Sequence, residues 1–595
     1  MKPAEWAPLV DTALGRRPAD RILQGGSVLF TPTGEIRPAD VAVVGDRVAF
    51  VGDCADLRNS DTDVVDVTGA FLLPGFIDGH LHPENSRLAP HAVAETLVPA
   101  GTTSIVTGLD HTAAAGGIDG VRRALDMFAA THLNVLWASP FRLPYTVPAA
   151  STPEPWGIEQ QQTAMAWPEC VGVWELCPGF VEQHDAVTTA AIAEAARRNL
   201  GIYGSVPCAD RDLRVVAAHV AAGLSVDHEA FDIEELRAKL RLGLYALLRD
   251  SPVEPFLPIL IGLVTDDPQL SHSIGFCTDE FAAADVMLRG HVNRLVRDAV
   301  ALGLPARTAA QMATINTARM YRVDDRVGSI APGRRADILV CDDLTEFVPR
   351  MVFAQGRLAA RDGVYLGDEE DPPRSAQSVT AVPFERPVIT SDDVTIGATV
   401  DGDIPALVIE LTDNAFHRKA STITVPVRGG TVRVDKADDL CIAAYVVRKP
   451  RDRRPPGLGL VTGFGLTSGA IATSCSPDDE NILCVGRTPA DVALAINTVI
   501  RHGGGDVVVD QGEVVHLLPL PVEGIMSALS LAEYLDAEAR LENAARRLGC
   551  RVEHPMMVLG ILGITGTPEI GLSEYGVVDY SKRAVVPLFA SPVHP

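Results

Sequence analysis

The 595-residue chain has no long basic run, and its 51 Lys and Arg stand against 77 Asp and Glu, a net charge of −26. Polyanions are bound through clustered positive charge, so this balance argues against nucleic acid and anionic membrane as partners. A small-molecule substrate, neutral or cationic, stays compatible. The ten cysteines, Cys54 to Cys550, contain no Cys-x-x-Cys pair and read as reduced, buried thiols of a cytosolic protein. No apolar stretch reaches membrane-spanning length without Gly, Pro or charge. Met1-Lys2-Pro3-Ala4-Glu5-Trp6 lacks the basic-then-apolar signature of a signal peptide. The expectation is a soluble, cytoplasmic protein, with a homo-oligomer compatible. What the chain does have is apolar content: 47% hydrophobic and 22% charged residues, enough for a large core and more than one domain.

The rhythm along the chain divides it. Residues 1–20 read as a short helical lead. Residues 20–70 are strand-rich, with Val41–Val44 and Arg47–Val51 flanking the turn signal Gly45-Asp46. From residue 70, apolar strands alternate with helical patterns, which signals a parallel α/β architecture. Strands are expected near 71–78, 102–107, 133–138, 171–176, 201–205, 223–227, 242–248 and 273–278, with helices over 118–130, 186–198 and 233–240 between them. Eight strands fit a (β/α)8 TIM-type barrel over 71–324, whose chemistry would sit at the C-terminal strand ends. A helix follows over 308–322. Residues 364–385 read as a linker, and 386–595 is long enough for a core of its own. Gly503–Gly505 precedes a strand and lacks a following Lys-Ser/Thr, so it reads as a turn and not a phosphate loop.

The strongest local signal is Pro74-Gly75-Phe76-Ile77-Asp78-Gly79-His80-Leu81-His82. Side chains alternate faces along a strand, so His80 and His82 point the same way. Two imidazoles on one face suit a divalent metal such as Zn, Mn or Fe. Further polar residues fall at the other expected strand ends: His111, Glu175, Ser205, His228 and Asp279.

The Leu-Pro-Gly-Phe-Ile-Asp-Gly-His-Leu-His stretch resembles the first barrel strand of the amidohydrolase superfamily. From about residue 20 onward the chain is similar to the adenine deaminases within it. Matching stretches include Leu97-Val-Pro-Ala-Gly-Thr-Thr-Ser, Val226-Asp-His-Glu229, Phe276-Cys-Thr-Asp-Glu280 and Leu518-Pro-Leu-Pro-Val-Glu-Gly-Ile-Met-Ser527. The resemblance implies a discontinuous β subdomain built from 20–70 and 325–365, a barrel over 71–324, and an α+β C-terminal domain over 386–595. It implies metal binding by His80, His82, Glu175, His228 and Asp279. Asp279, His228 and Glu175 would be the catalytic set, with Asp279 shuttling the proton and His228 or His111 steadying developing negative charge. The implied reaction is hydrolytic deamination of adenine or a related aminopurine, water attacking C6 and ammonia leaving. The same apparatus hydrolyses other C–N bonds, such as cyclic amides, and a non-catalytic homologue is the third reading.

Three departures bear on that choice. Where the family has Gly-His-Ala-Pro on strand five, this chain has Gly204-Ser205-Val206-Pro207. Where it has His-Glu-Ile-Ala-Asn, the chain has Asp110-His111-Thr112-Ala113-Ala114. Where it has His-Asp-Ser-His-Asn, the chain has Pro477-Asp478-Asp479-Glu480-Asn481. A hydroxyl is a much weaker neutral ligand than an imidazole, so one firmly bound metal and a weak second position are expected. The departures favour a relative with a different substrate or metal count. His111, Ser205 and Glu84 are the substrate-side candidates, and specificity is expected in the loop 141–156. Ser474–Asn481 is expected at the barrel mouth, its acids facing a cationic group or water.

Overall fold

The computed structural model describes residues 3–145, 151–207, 212–367, 384–412, 418–450, 454–567 and 569–589. Eight parallel strands follow one another in chain order: Phe76–Asp78, Thr102–Thr107, Asn134–Pro140, Cys170–Leu176, Gly201–Gly204, Leu224–Asp227, Tyr245–Arg249 and Ile274–Cys277. The barrel closes just beyond its first and eighth strands. There Gly79 N–H donates to Phe276 O (3.0 Å), Asp279 N–H to His80 O (2.9 Å), and His82 N–H to Asp279 O (2.8 Å). Strands such as Thr102–Thr107 and Ile274–Cys277 are buried at every position, and so do not alternate apolar with exposed polar residues. Ile77, Val106, Leu136, Trp174, Tyr203, Val226 and Leu247 fill the barrel interior, so the barrel is a packed core and not a pore.

The structure corrects three element boundaries. The run 71–78 is two strands: Phe71–Pro74 pairs with Ile338–Cys341 in a separate sheet, and Phe76–Asp78 opens the barrel. Both halves are apolar and buried, so hydrophobicity alone does not separate them. Gly75 is the joint, and it sits so close to the second strand that a Cβ there would lie 2.0 Å from Thr103 Oγ1. The expected strand 242–248 begins at Tyr245, because the helix Ile233–Arg241 runs into a capping turn at Leu242 and Gly243. The helix expected from 118 begins at Asp110 and breaks at Gly117 (φ 64), which places His111 in a first helical turn at the barrel mouth.

A seven-stranded sheet joins two distant parts of the chain. Its order is Val364–Tyr365, Arg357–Arg361, Pro349–Ala354, Ile338–Cys341, Phe71–Pro74, Ser27–Phe30 and Glu35–Pro38. Beside it lies a four-stranded sheet of Arg47–Gly52, Asp40–Val44, Arg21–Gln24 and Asp63–Asp66, in which the hairpin around Gly45-Asp46 forms as the turn signal indicates. One apolar cluster draws on both segments, among them Leu23, Val43, Leu72, Ile338, Val340 and Phe353. Of the linker expected over 364–385, residues 368–383 lie outside the described residues.

The C-terminal part holds a nine-stranded sheet with the helix Pro489–His502 packed on it. Gly503, at φ 67, caps that helix, so the Gly503–Gly505 stretch is a turn. The largest apolar cluster runs from barrel residues such as Leu88 and Ala114 into Cys475, Leu520 and Met526. Among the described residues no helix is long and apolar enough to cross a membrane, and the described cysteines are unpaired thiols.

An ion pair pins the C-terminal part to the barrel rim. His554 Nε2 lies 3.1 Å from Asp285 Oδ2 and its Nδ1 lies 3.3 Å from Glu542 Oε1. Burial opposes a charge on His554, but its hydrogen bonds to Asp285 and Glu542 outweigh this and push it up to about 10. A folded-state value above the ordinary value of 6.5 makes the charged pair stabilising below that ordinary value and lost as pH rises through the folded one. His554→Ala is therefore expected to cost roughly 2 kcal/mol near pH 6, the gap in thermal midpoint closing towards pH 10. A gap that does not shrink with rising pH would count against the charged form.

Candidate metal centre

The side chains that converge at the barrel mouth come from the ends of strands one, four, six and eight. His80 Nε2 and His82 Nε2 stand 3.2 Å apart. Asp279 Oδ1 lies 3.4 Å from the first and 3.5 Å from the second. Asp279 adopts φ 64, a conformation uncommon outside glycine and concentrated at functional sites. Its two backbone hydrogen bonds to the His80–His82 segment hold it there. Glu175 reaches across from strand four, its Oε1 3.6 Å from His80 Nε2 and 3.5 Å from His228 Nε2, its Oε2 3.3 Å from His82 Nε2. All of these residues are buried except Glu175, which is partly exposed to the cavity.

The outer contacts fix which nitrogen faces inward. His82 Nδ1 is 3.1 Å from Asp110 Oδ1 and His228 Nδ1 is 3.2 Å from Gly204 O. Each Nδ1–H donates outward, leaving the Nε2 lone pair for the cluster, the arrangement found behind metal-bound histidines. The His80 ring stacks on Trp174, centroids 4.0 Å apart. Burial, then the nearby charges of His228, His82 and Arg249, push His80 well below the ordinary histidine value. Burial likewise takes His228 down to about 3, against the opposing charge of Asp279. Burial also disfavours charge on His82, but Asp110 and Glu175 outweigh it and raise that group. Burial pushes Glu175 up to about 8, against the pull of His82.

The donor set fits a divalent ion. His80, His82 and Asp279 form one group whose ligand atoms all lie within 4.8 Å of one another, and His80, Glu175 and His228 form another. Asp279 Oδ1 is buried and has no hydrogen-bond donor among the described residues. A buried acceptor left so is costly unless a ligand meets it. Asp279 Oδ2 is otherwise engaged: Arg249, at the end of strand seven, donates to it from Nη1 at 2.5 Å. The same guanidinium donates to Glu229 Oε2 (2.9 Å) and Oε1 (3.3 Å) and pairs with Glu254.

The other expected residues take distinct places. Ser205 lines the cavity and donates to Glu229 Oε1 at 3.2 Å. His111 also lines it, with Nδ1 3.0 Å from Glu480 Oε1. Burial works against a charge there, but Asp110, Cys475 and Glu480 raise the group well above the ordinary histidine value. Glu84 is not among the residues lining the cavity; its Oε1 accepts from the N–H and hydroxyl of Thr112 at 3.0 and 2.8 Å. The C-terminal segment does reach the mouth, since Pro477 and Asp478 line the same cavity as His82, Glu175 and Asp279. Of its acids, Asp479 and Glu480 are fully buried, while Asp478 is partly exposed and lines the cavity, where burial pushes it up to about 6, against the charge of His111. Asp110, Arg249 and Glu229 are not among the site residues the sequence indicates, although Arg249 carries a usable signal, its position at a strand end. Tyr145 falls in the loop 141–156 where specificity is expected, of which residues 146–150 lie outside the described residues.

A closed eight-stranded parallel barrel with paired histidines at strand one, acids at strands four and eight and a histidine at strand six defines an amidohydrolase-type hydrolase. Residues 259–359 match the amidohydrolase family, and residues 416–584 match the adenine deaminase C-terminal domain. Adenine deaminase 4 of Rhizobium meliloti (strain 1021) is 38% identical over 572 residues, covering 95% of this chain and 94% of that protein. Adenine deaminase 1 of Desulfotalea psychrophila is 36% identical over 572 residues, covering 96% of each. A solved β-aspartyl dipeptidase from Fervidobacterium islandicum AW-1 superposes with a TM-score of 0.46 at 17% identity, covering 58% of this chain and 98% of that one. The chain belongs to the adenine deaminase family.

Removing a single member of a buried ion cluster leaves its partners uncompensated. Arg249→Met would leave Glu229, Glu254 and Asp279 facing one another. It is expected to cost about 3–5 kcal/mol in stability, read by denaturant unfolding. A loss below about 1 kcal/mol, the scale of an exposed pair, would show that the cluster is not held by that charge.

Proposed function

We propose that this protein hydrolytically deaminates adenine or a closely related aminopurine at the barrel mouth. Water adds at C6, the C6–N6 bond breaks, and the amino nitrogen leaves as ammonia. The observation that carries the reading is the unpartnered Oδ1 of Asp279 facing His80 and His82, in a chain of this family. His80, His82 and Asp279 would hold a divalent ion, Mn, Fe or Zn, with Glu175 and His228 beside it. Such an ion activates water at neutral pH and polarises the group under attack.

The chain's own groups divide the remaining work. Arg249 occupies Asp279 Oδ2, so Oδ1 is the oxygen left to accept the attacking water's proton and return it to the departing nitrogen. His228 is neutral and donates its Nδ1–H to Gly204 O. It therefore offers Nε2 as a lone pair and has no charge to set against a developing anion. That role falls to His111, whose charged form Asp110, Cys475 and Glu480 favour against burial. Asp478 and Pro477 close the site from the C-terminal part. A cytoplasmic location and a place in purine metabolism go with this reading.

The test is ammonia release from adenine, with cyclic amides as controls, before and after chelation. Release that is lost on chelation and restored by Mn, Fe or Zn is expected. A fully metal-loaded protein that releases no ammonia from adenine would overturn the proposal.

Metal count is a separate proposal. Ser205 gives its hydroxyl to Glu229, and with His80 shared with the group of His82 and Asp279, Glu175 and His228 make a poor second site on their own. One equivalent is expected by elemental analysis after exhaustive dialysis, and Ser205→His is expected to raise it. Two equivalents retained by the unmodified protein would refute the count and leave the deamination untouched.

A further inference from the structure

Tyr145 follows strand three in the loop that opens at Phe141. Its ring lies parallel to that of Phe141, centroids 5.2 Å apart and planes 6° from parallel, and Phe141 is itself braced edge-on by Phe180 at 5.7 Å. The backbone beside it is pinned as well, since Leu143 and Trp156 exchange both hydrogen bonds at 3.2 and 3.4 Å. The phenol is therefore a rigidly oriented group. It is buried, 5% exposed, and lines the same cavity as Glu175, Asp279 and Asp478. Its hydroxyl has no hydrogen-bond partner among the described residues. Phenylalanine would supply the same stacking without burying an unmatched O–H, so packing does not account for the hydroxyl.

The chemistry of the cavity wall says what the hydroxyl would meet. Glu175, Glu229, Asp279, Glu280 and Asp478 all present carboxyl groups to it. Carboxylates suit the N–H groups of a ligand, whereas its ring nitrogens, which are acceptors, need donors. Ser205 spends its hydroxyl on Glu229; of the neutral donors that also line the wall, Asn85, Thr567 and Tyr145, the phenol is held in place by a stacked ring. Burial, with the charges of Asp110, Glu175 and Asp478, holds the Tyr145 phenol well above its ordinary value, so it keeps its proton across the working range.

We propose that Tyr145 is a specificity-determining residue that donates its phenol proton to a ring nitrogen of the bound aminopurine. The inference rests on the aminopurine reading of the site and adds the residue that reads the ring. It takes Tyr145→Phe as the variant, because the ring stack survives and the donor alone is lost. Metal content and thermal midpoint are measured alongside to show that the site and fold persist.

The experiment compares wild type and Tyr145→Phe in kcat and KM for adenine, and in inhibition constants for 1-, 3- and 7-deazaadenine, each lacking one ring acceptor. The variant is expected to lose about tenfold in kcat/KM, the scale of one hydrogen bond, with metal content unchanged. One deaza analogue is expected to bind wild type about tenfold more weakly than the other two, and that difference is expected to vanish in the variant. A variant within twofold of wild type on adenine, or one that weakens all three analogues equally, would overturn the assignment and leave the hydroxyl as a hydrated wall group. Failure of the wild type to release ammonia from adenine would instead overturn the aminopurine reading, so the two failures are told apart.

Discussion

The barrel mouth depends on one guanidinium. Arg249 is buried with Glu229, Glu254 and Asp279 around it. Charges removed from water are tolerated when each has a partner in good geometry, and a planar fork meets several carboxylates at once where an ammonium cannot. The fork takes Glu229 at two points and Asp279 at one. Because it uses Oδ2 of Asp279 and leaves Oδ1, strand seven decides how strand eight meets the histidines of strand one. The left-handed turn at Asp279 and its two backbone hydrogen bonds complete the same constraint from the other side.

The C-terminal part closes this mouth with polar contacts whose partners lie across the interface. Glu480 meets His111, Asn481 Nδ2 donates to Ser151 O at 2.7 Å, and Cys475 Sγ approaches Glu84 O at 3.6 Å. Arg448, itself buried, donates to the carbonyl oxygens of Ser474, Glu523 and Gly524 and so ties the segment to its own domain. Each contact is made in a place with little water, where a satisfied hydrogen bond is strong and an orphaned one is costly. The two parts of the chain are therefore fitted to each other at the site, with a continuous apolar cluster beneath.

Much of this was legible, and the physical reasons are local. Alternation puts His80 and His82 on one face, and the strand-end rule for barrels gathers Glu175, His228 and Asp279 with them. The rule needs no knowledge of contacts, which is why those five residues were found from spacing and resemblance. It applies equally to Arg249, but an arginine at a strand end reads as a solvated charge until its three carboxylates are seen around it. Asp110 reads as an ordinary helix-start acid, and its hydrogen bond to His82 Nδ1 belongs to tertiary geometry. The run 71–78 misled because burial erases the periodicity that marks where one sheet ends and another begins. The acids 478–480 left both alternatives open, since composition marks them as polar and cannot tell a charge set against a cation, as Glu480 is against His111, from hydration.

The serine at strand five is best understood through what it touches. An imidazole there would bring a neutral lone pair into the space beside Glu175 and His228. Ser205 instead brings a donor and spends it on Glu229 Oε1. That oxygen already accepts from Arg249 Nη1 and lies 3.6 Å from His228 Nε2. The hydroxyl thus joins the Arg249 cluster, and Glu229 is held from two sides. The group of His80, His82 and Asp279 draws nothing from strand five. The departure falls on one half of the mouth and spares the half that holds the unpartnered Asp279 oxygen. At strand five the side chain therefore serves the Arg249 cluster, through a carboxylate that the guanidinium already anchors.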